Sequence, residues 1–253
     1  MSVKGLSGLA AAFLLATAAA GQEKGSCVGC HQHLAPGNIV AHDFADWQRS
    51  AHAGAGVNCE SCHGGDASAK DKAAAHKGVL RAGDSKSRIF FTKIPETCGA
   101  CHEPEFKAFQ KSAHFKELQK SGRGPNCVTC HGSMANVVLG PKELETTCAL
   151  CHRQPTQAFA ARLELDSAGA MVRGLGAALR KARNAGVADL APQEKDYREI
   201  VALQRATAIL WHTFKMQDVI KADREVKRRV TGALGELKFK GAPPAAPTGR
   251  SPN

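Results

Sequence analysis

Large aromatic side chains are scarce: one Tyr, two Trp and ten Phe among 253 residues, 5% in all. A chain of this length normally fills its interior with big apolar residues. The stretch from 27 to 152, rich in Gly, Ala, Ser and Lys, therefore has little with which to bury itself. Past the N-terminus no apolar run reaches the roughly 20 residues that a membrane-spanning helix needs. Acidic residues are outnumbered, 23 against 34 Lys and Arg, for a formal charge of +11. Such a surplus by itself points to nucleic acid or anionic lipid, so its meaning depends on what else the chain carries. Spare cysteine is also missing, because all ten are committed to one kind of motif.

That motif is C-x-x-C-H, and it occurs five times: Cys27/Cys30/His31, Cys59/Cys62/His63, Cys98/Cys101/His102, Cys127/Cys130/His131 and Cys148/Cys151/His152. The two intervening residues let both thiols reach one edge of a porphyrin and add to its vinyl groups, while the next side chain reaches the iron. A zinc half-site gives no reason for a His after every pair, and a redox disulfide motif normally stands once in a βαβ setting. The expectation is five covalently bound haem c groups, with the ten cysteines as attachment points and the five motif histidines as proximal iron ligands. Ten propionates would offset most of the positive charge, +10 once Lys4 leaves with an export signal. The basic excess then reads as propionate pairing and solvation, with no nucleic-acid partner. The densest cluster, Arg224, Lys227, Arg228 and Arg229, reads as a solvated helix face. Porphyrins would supply the missing apolar surface and their thioether links would restrain the loops, so the haem-free chain is expected to be largely unfolded.

Residues 1–20 read as a secretory signal: Lys4, an apolar run over 6–15, then Ala16, Thr17, Ala18, Ala19 and Ala20. No cysteine follows for a lipid anchor. The expected location is the periplasm, with an extracellular one also open, and the mature chain has no integral membrane span. Residues 22–155 form the haem-binding region, 156–240 a helical region, and 241–253 a disordered Pro- and Ala-rich tail. The fold class is mainly α: a loop-rich multihaem region with few or no strands, then long C-terminal helices.

The haem region contains a repeat. Trp47-Gln48-Arg49-Ser50-Ala51-His52 precedes the second motif and Phe109-Gln110-Lys111-Ser112-Ala113-His114 the fourth, and each of those motifs is followed by Gly. Each copy reads as a short aromatic helix ending in Ser-Ala-His. In the second copy residues 105–120 read as one helix, begun by Pro104 and ended by Gly122. Further on, Phe159, Leu163, Met171, Val172, Leu175 and Leu179 fit one amphipathic helix closed at Asn184-Ala185-Gly186. Pro192 then opens a pattern from 193 to about 237, one long helix or two with a bend. These helices would brace the haems and offer a surface for a homo-oligomer.

Five of eleven histidines belong to the motifs, leaving His33, His42, His52, His76, His114 and His212 as distal iron ligands. His52 and His114 are singled out by the repeat, and His212 by its apolar surroundings beside Trp211 and Phe214. His76 follows the second motif closely. His42 takes the last place over His33, which lies only two residues from His31. Met134 is a weaker candidate, the only thioether in a set of imidazoles. Which distal His serves which iron is not readable from spacing.

On the repeated W/F-Q-x-S-A-H element before C-x-x-C-H-G, over residues 27–152, the chain resembles the multihaem c-type cytochrome superfamily that includes cytochrome c-554, hydroxylamine oxidoreductase and the pentahaem nitrite reductases. The resemblance implies closely packed, mostly bis-histidine haems that conduct electrons. The chain lacks the C-x-x-C-K site of the nitrite reductases, and nothing local marks Tyr197 for the cross-link of the hydroxylamine enzymes. The expected function is a periplasmic electron carrier with no catalytic residues, whose partners are redox proteins or a membrane quinol dehydrogenase. The alternative is a reductase or oxidase of a small nitrogen or sulfur compound, which needs one iron with an open axial position.

Overall fold

The computed structural model describes residues 26–32 and 44–240. The expected export signal, His33, His42 and the expected disordered tail lie outside the described residues. Helices joined by turns make up the fold, and no strand occurs among the described residues. In chain order these are α1 (Ser26–His31), α2 (Phe44–Arg49), α3 (Ala51–Gly54), α4 (Cys59–His63), α5 (Lys72–Ala75), α6 (Ile94–Gly99), α7 (Glu103–Gln110), α8 (Ala113–Ser121), α9 (Cys127–His131), α10 (Pro141–Ala149), α11 (Thr156–Asn184), α12 (Ala191–Leu210) and α13 (Met216–Lys240).

The motifs take two local forms. The second and fourth are themselves one-turn helices, α4 and α9, with Asn58 and Asn126 at their N-caps. Asn126 and Thr129 close a reciprocal capping box, and Asn126 also donates from Nδ2 to the Phe91 carbonyl at 2.9 Å. Both helices end on a glycine at φ 76°, Gly64 and Gly132, a conformation that a Cβ disfavours. The third and fifth motifs instead hang from the C-terminal ends of α6 and α10, which start with Pro95 and Pro141 in their first turns. There the amide N–H groups of His102 and His152 donate to the carbonyls of Cys98 and Cys148, at 2.9 Å each.

Ser-Ala-His does not end a helix, as the sequence reading had it; it begins one. The Ser50 hydroxyl accepts from the Ala53 N–H at 3.2 Å and opens α3, and the Ser112 hydroxyl accepts from the Phe115 N–H at 3.0 Å and opens α8. The expected single helix over 105–120 is thus two, α7 and α8. A serine side chain competing for backbone N–H groups is a better start than interior residue, and here the start won. Both serines are buried, and the turn throws His52 and His114 out of line with the preceding helix.

The C-terminal region is a three-helix bundle with its own core. Ala168, Val172, Leu175 and Leu179 of α11 meet Ile200 of α12 and Val226, Val230, Ala233 and Leu237 of α13. Gly176 lets α11 approach α12 closely, because a Cβ there would stand 2.6 Å from the Tyr197 hydroxyl. The lone tyrosine is therefore a packing residue of the bundle. The basic cluster of α13 is more than a solvated face. Arg229 bridges to Asp196 and Glu199 of α12, and Lys227 bonds Glu164 of α11 at 2.5 Å.

The pattern from 193 onward resolves into two helices with a break. A 3-10 turn, Trp211–Thr213, follows α12, and Phe214 sits at φ 58°, left-handed and uncommon for a residue with a side chain. This break carries His212 and Phe214 against α7, so the bundle meets the haem region where the helix is interrupted.

Candidate haem sites

Four of the five motif histidines lie beside a second histidine from elsewhere in the chain. His31 faces His76 with ring centres 5.9 Å apart, His52 faces His102 at 6.0 Å, His114 faces His152 at 5.8 Å, and His131 faces His212 at 6.3 Å. Two imidazoles bonded to opposite sides of one metal at about 2 Å have ring centres roughly 6 Å apart. The chain thus holds four histidine pairs at the spacing of a shared metal. His63 of the second motif is engaged as well, and the two remaining distal candidates, His42 and His33, lie outside the described residues. Among the described residues every distal histidine is used: His52, His76, His114 and His212 each meet a different motif, and Met134 is not needed by any of these four.

The pairing follows the repeat. His52 passes over the second motif to reach the third, and His114 passes over the fourth to reach the fifth. His76 reaches back to the first motif from the C-cap of α5, where Asp71 accepts from the Ala74 N–H and starts the turn. His212 reaches the fourth motif from the 3-10 turn and not from within a helix, because the bundle helix breaks there.

The second ring nitrogen of several of these histidines is fixed by the protein. Nδ1 of His76 stands 2.7 Å from the Lys72 carbonyl and that of His131 2.8 Å from the Val137 carbonyl. His52 Nδ1 lies 2.8 Å from Oδ1 of Asn136, and His212 Nδ1 lies 3.3 Å from the Ile209 carbonyl. With a carbonyl acceptor, Nδ1 must carry the proton, which leaves Nε2 free as a metal ligand. Burial, and then the neighbouring motif histidine, hold the pKa values of His114 and His212 below the ordinary range. Both shifts favour the neutral form, which is the one that binds a metal. Asn136 and Phe214 escaped the sequence reading. Asn136 left no signal beyond being an asparagine in a loop, and Phe214 read as one more apolar position on a helix.

The cysteines place successive motifs side by side. Cys98 of the third and Cys127 of the fourth share a thiol hydrogen bond, which raises the Cys127 thiol pKa. Burial, then Cys27 of the first motif, raises Cys59 of the second. Burial, then Cys98, raises Cys62 as well. Cys130 is pushed up to about 11, by burial and then by Cys148 of the fifth motif. Helix contacts agree, since α9 packs against both α6 and α10. Neighbours in sequence are neighbours in space, from the first motif to the fifth.

The residues fit haem. Among the described residues between 27 and 152 the buried apolar side chains are few, Val28, Ala108, Phe109, Leu118 and Leu144 among them, while Cys30, Cys101 and Cys151 are exposed. Thiols at the surface of a region with so little core, next to histidine pairs at metal spacing, suit a group that brings both iron and apolar area.

Comparison with known proteins agrees. The family model described as cytochrome c554 and c-prime matches residues 10–64, which include the first two motifs and His52. A C-type polyheme cytochrome, OmcC, of Geobacter sulfurreducens is 26% identical over 153 residues. The match covers 58% of this chain and 16% of that much longer protein. No solved structure matches. Motifs, family match and polyhaem relative together support a multihaem electron-transfer cytochrome of the c type, with covalently bound haem c.

Proposed function

We propose that this protein is a periplasmic pentahaem cytochrome of the cytochrome c-554 and hydroxylamine oxidoreductase-like superfamily, an electron carrier whose five sites follow one another in space as they do in sequence. The four histidine pairs at 5.8–6.3 Å carry this reading. When bound, haem supplies a one-electron ferric/ferrous couple. The chain's own residues do the rest. Cys27 and Cys30, Cys59 and Cys62, Cys98 and Cys101, Cys127 and Cys130, and Cys148 and Cys151 hold the five groups. His31 with His76, His102 with His52, His131 with His212, and His152 with His114 would each hold one of four irons between them. His63 would hold the fifth, and His42 is the distal candidate left for it once the other four are paired. Irons held by two histidines each would have no position open to a substrate and would pass electrons without bond chemistry. Carbonyl acceptors on Nδ1 keep the rings in one tautomer and one orientation.

Electrons would enter from a redox protein or a membrane quinol dehydrogenase at one end of the series and leave to another partner at the other, over small transient interfaces. The bundle braces the fourth and fifth sites through His212 and Phe214 and offers a face for a homo-oligomer. Low-temperature electron paramagnetic resonance of the oxidised holoprotein tests the reading. Five low-spin signals without a high-spin component are expected. A high-spin component that moves on adding nitrite or cyanide would instead make the protein a reductase or oxidase with one open iron.

A further inference from the structure

The distal histidines differ in what holds their second nitrogen. His76 and His52 each have an oxygen within 2.8 Å of Nδ1. At the fourth site both partners have one, Val137 at 2.8 Å for His131 and Ile209 at 3.3 Å for His212. His114 has none: its Nδ1 is buried without a hydrogen-bond partner. The reason is the company it keeps. Phe214 lies 4.3 Å from the His114 ring, nearly edge-on, and Phe109 packs against both Phe214 and Phe115. The left-handed backbone of Phe214 aims that ring inward, so one helix break delivers His212 as a hydrogen-bonded ligand and shuts His114 off from any acceptor.

A hydrogen bond from Nδ1–H to an oxygen makes an imidazole a stronger electron donor and favours the higher oxidation state of a bound metal. A ring without that bond, in an apolar setting, favours the lower one. We propose that Phe214 is a positioning residue that makes the Cys148/Cys151/His152 site the highest in reduction potential among the four sites with a described histidine pair. It adjoins the fourth site, whose two histidines both have Nδ1 acceptors, so the last step along the series runs downhill and electrons leave at the fifth site. The inference rests on reading the histidine pairs as axial ligands.

The test uses the holoprotein and redox titration followed by electron paramagnetic resonance. In His52→Ala, His76→Ala, His114→Ala and His212→Ala, each loss of a ligand creates one high-spin iron and removes one low-spin midpoint, which labels the site. His114→Ala is expected to remove the highest of the four midpoints; a higher one removed by any of the other three variants overturns the inference. A variant that creates no high-spin iron would count against the axial-ligand reading instead, so the two failures are distinct. Phe214→Asn, which tolerates the left-handed backbone and brings an amide oxygen, is expected to lower the midpoint labelled by His114. The expected size is about a tenfold change in the ferric-to-ferrous ratio, about 59 mV for one electron. Asn136→Gly, which keeps the φ of 47° and removes the acceptor of His52, is expected to raise the midpoint labelled by His52. Unchanged midpoints in folded Phe214→Asn or Asn136→Gly protein overturn the tuning argument.

Discussion

The two halves of this chain reach a defined shape by different means. From 156 onward, three helices present complementary apolar stripes, and side chains such as Leu175 and Ile200 are 1% and 0% exposed. Each such side chain stabilises the fold by about 1.5–3 kcal/mol on burial. Among the described residues from 27 to 152 the helices are four to nine residues long, too short to persist alone, and few apolar side chains are buried. Local devices dominate there: serine and asparagine caps, glycines past the motif helices, proline starts. They set the direction of each turn without supplying much burial. A region built this way suits covalent groups that act as its interior, whereas the bundle needs none.

The largest effect that would break this contrast comes from withholding haem. In a host without haem attachment, the stretch 44–152 is expected to lose its structure while α11–α13 stay helical. Limited proteolysis should then cut throughout 44–152 and leave a protected fragment over about 156–240. Equal protection of both halves would show that the first half has a sufficient core of its own.

Leu175→Ala should cost about 2–5 kcal/mol, the usual cost of a cavity in a packed core, and leave the haem absorption spectrum unchanged below the melting point. Loss of low-spin character in that variant at low temperature would mean that the two halves are not energetically separate. Asp223 gives a pH-dependent version of the same comparison. It is 0% exposed on α13, neither carboxylate oxygen has a partner, and its pKa rises from 3.8 to about 7. Burial is the main cause and the nearby Glu164 carboxylate the second, with Lys227 opposing them. The folded state thus holds a proton that the unfolded state releases near pH 4. Bundle stability should fall as pH rises from about 4 to about 7 and level off above, by at most about 4 kcal/mol. Asp223→Asn should flatten that slope in denaturant titrations read by circular dichroism at several pH values. A slope unchanged in the variant would assign the effect to another group.

Ser112→Ala should have the smallest effect, about 1 kcal/mol for a lost helix cap. Its value lies in where the effect appears. Because α8 starts at Ser112 and carries His114 in its first turn, the paramagnetic signal of the fifth site should broaden or shift, and the other four should not. A uniform loss of stability with an unaltered signal would mean that the cap only holds the helix.

The sequence made much of this legible. C-x-x-C-H is a local pattern, so its five copies and the haem chemistry they imply need no tertiary information. The repeat singled out His52 and His114, and the apolar setting singled out His212. Helix ends were harder. Ser112 looks like an interior residue when the stripe of Phe106, Phe109 and Ala113 is read across it, because periodicity does not register a hydroxyl turning back onto the backbone. A bend somewhere between 193 and 237 was one of two readings, but its place at Phe214 was hidden, since a phenylalanine in left-handed backbone has no sequence signature.

What the chain settled by its order of residues alone is the kind of chemistry: in each of five motifs two thiols and an imidazole are held by the backbone within about a turn of one another. Which histidine faces which motif was decided only by folding. Asn136 and His52 are 84 positions apart yet 2.8 Å from contact to contact. The pairing of His131 with His212 depends on where a distant helix breaks. Spacing along a chain constrains geometry over a turn or two. Beyond that, the packing of the bundle against α7 and the turns set by Ser50 and Ser112 choose among partners that the sequence leaves equivalent.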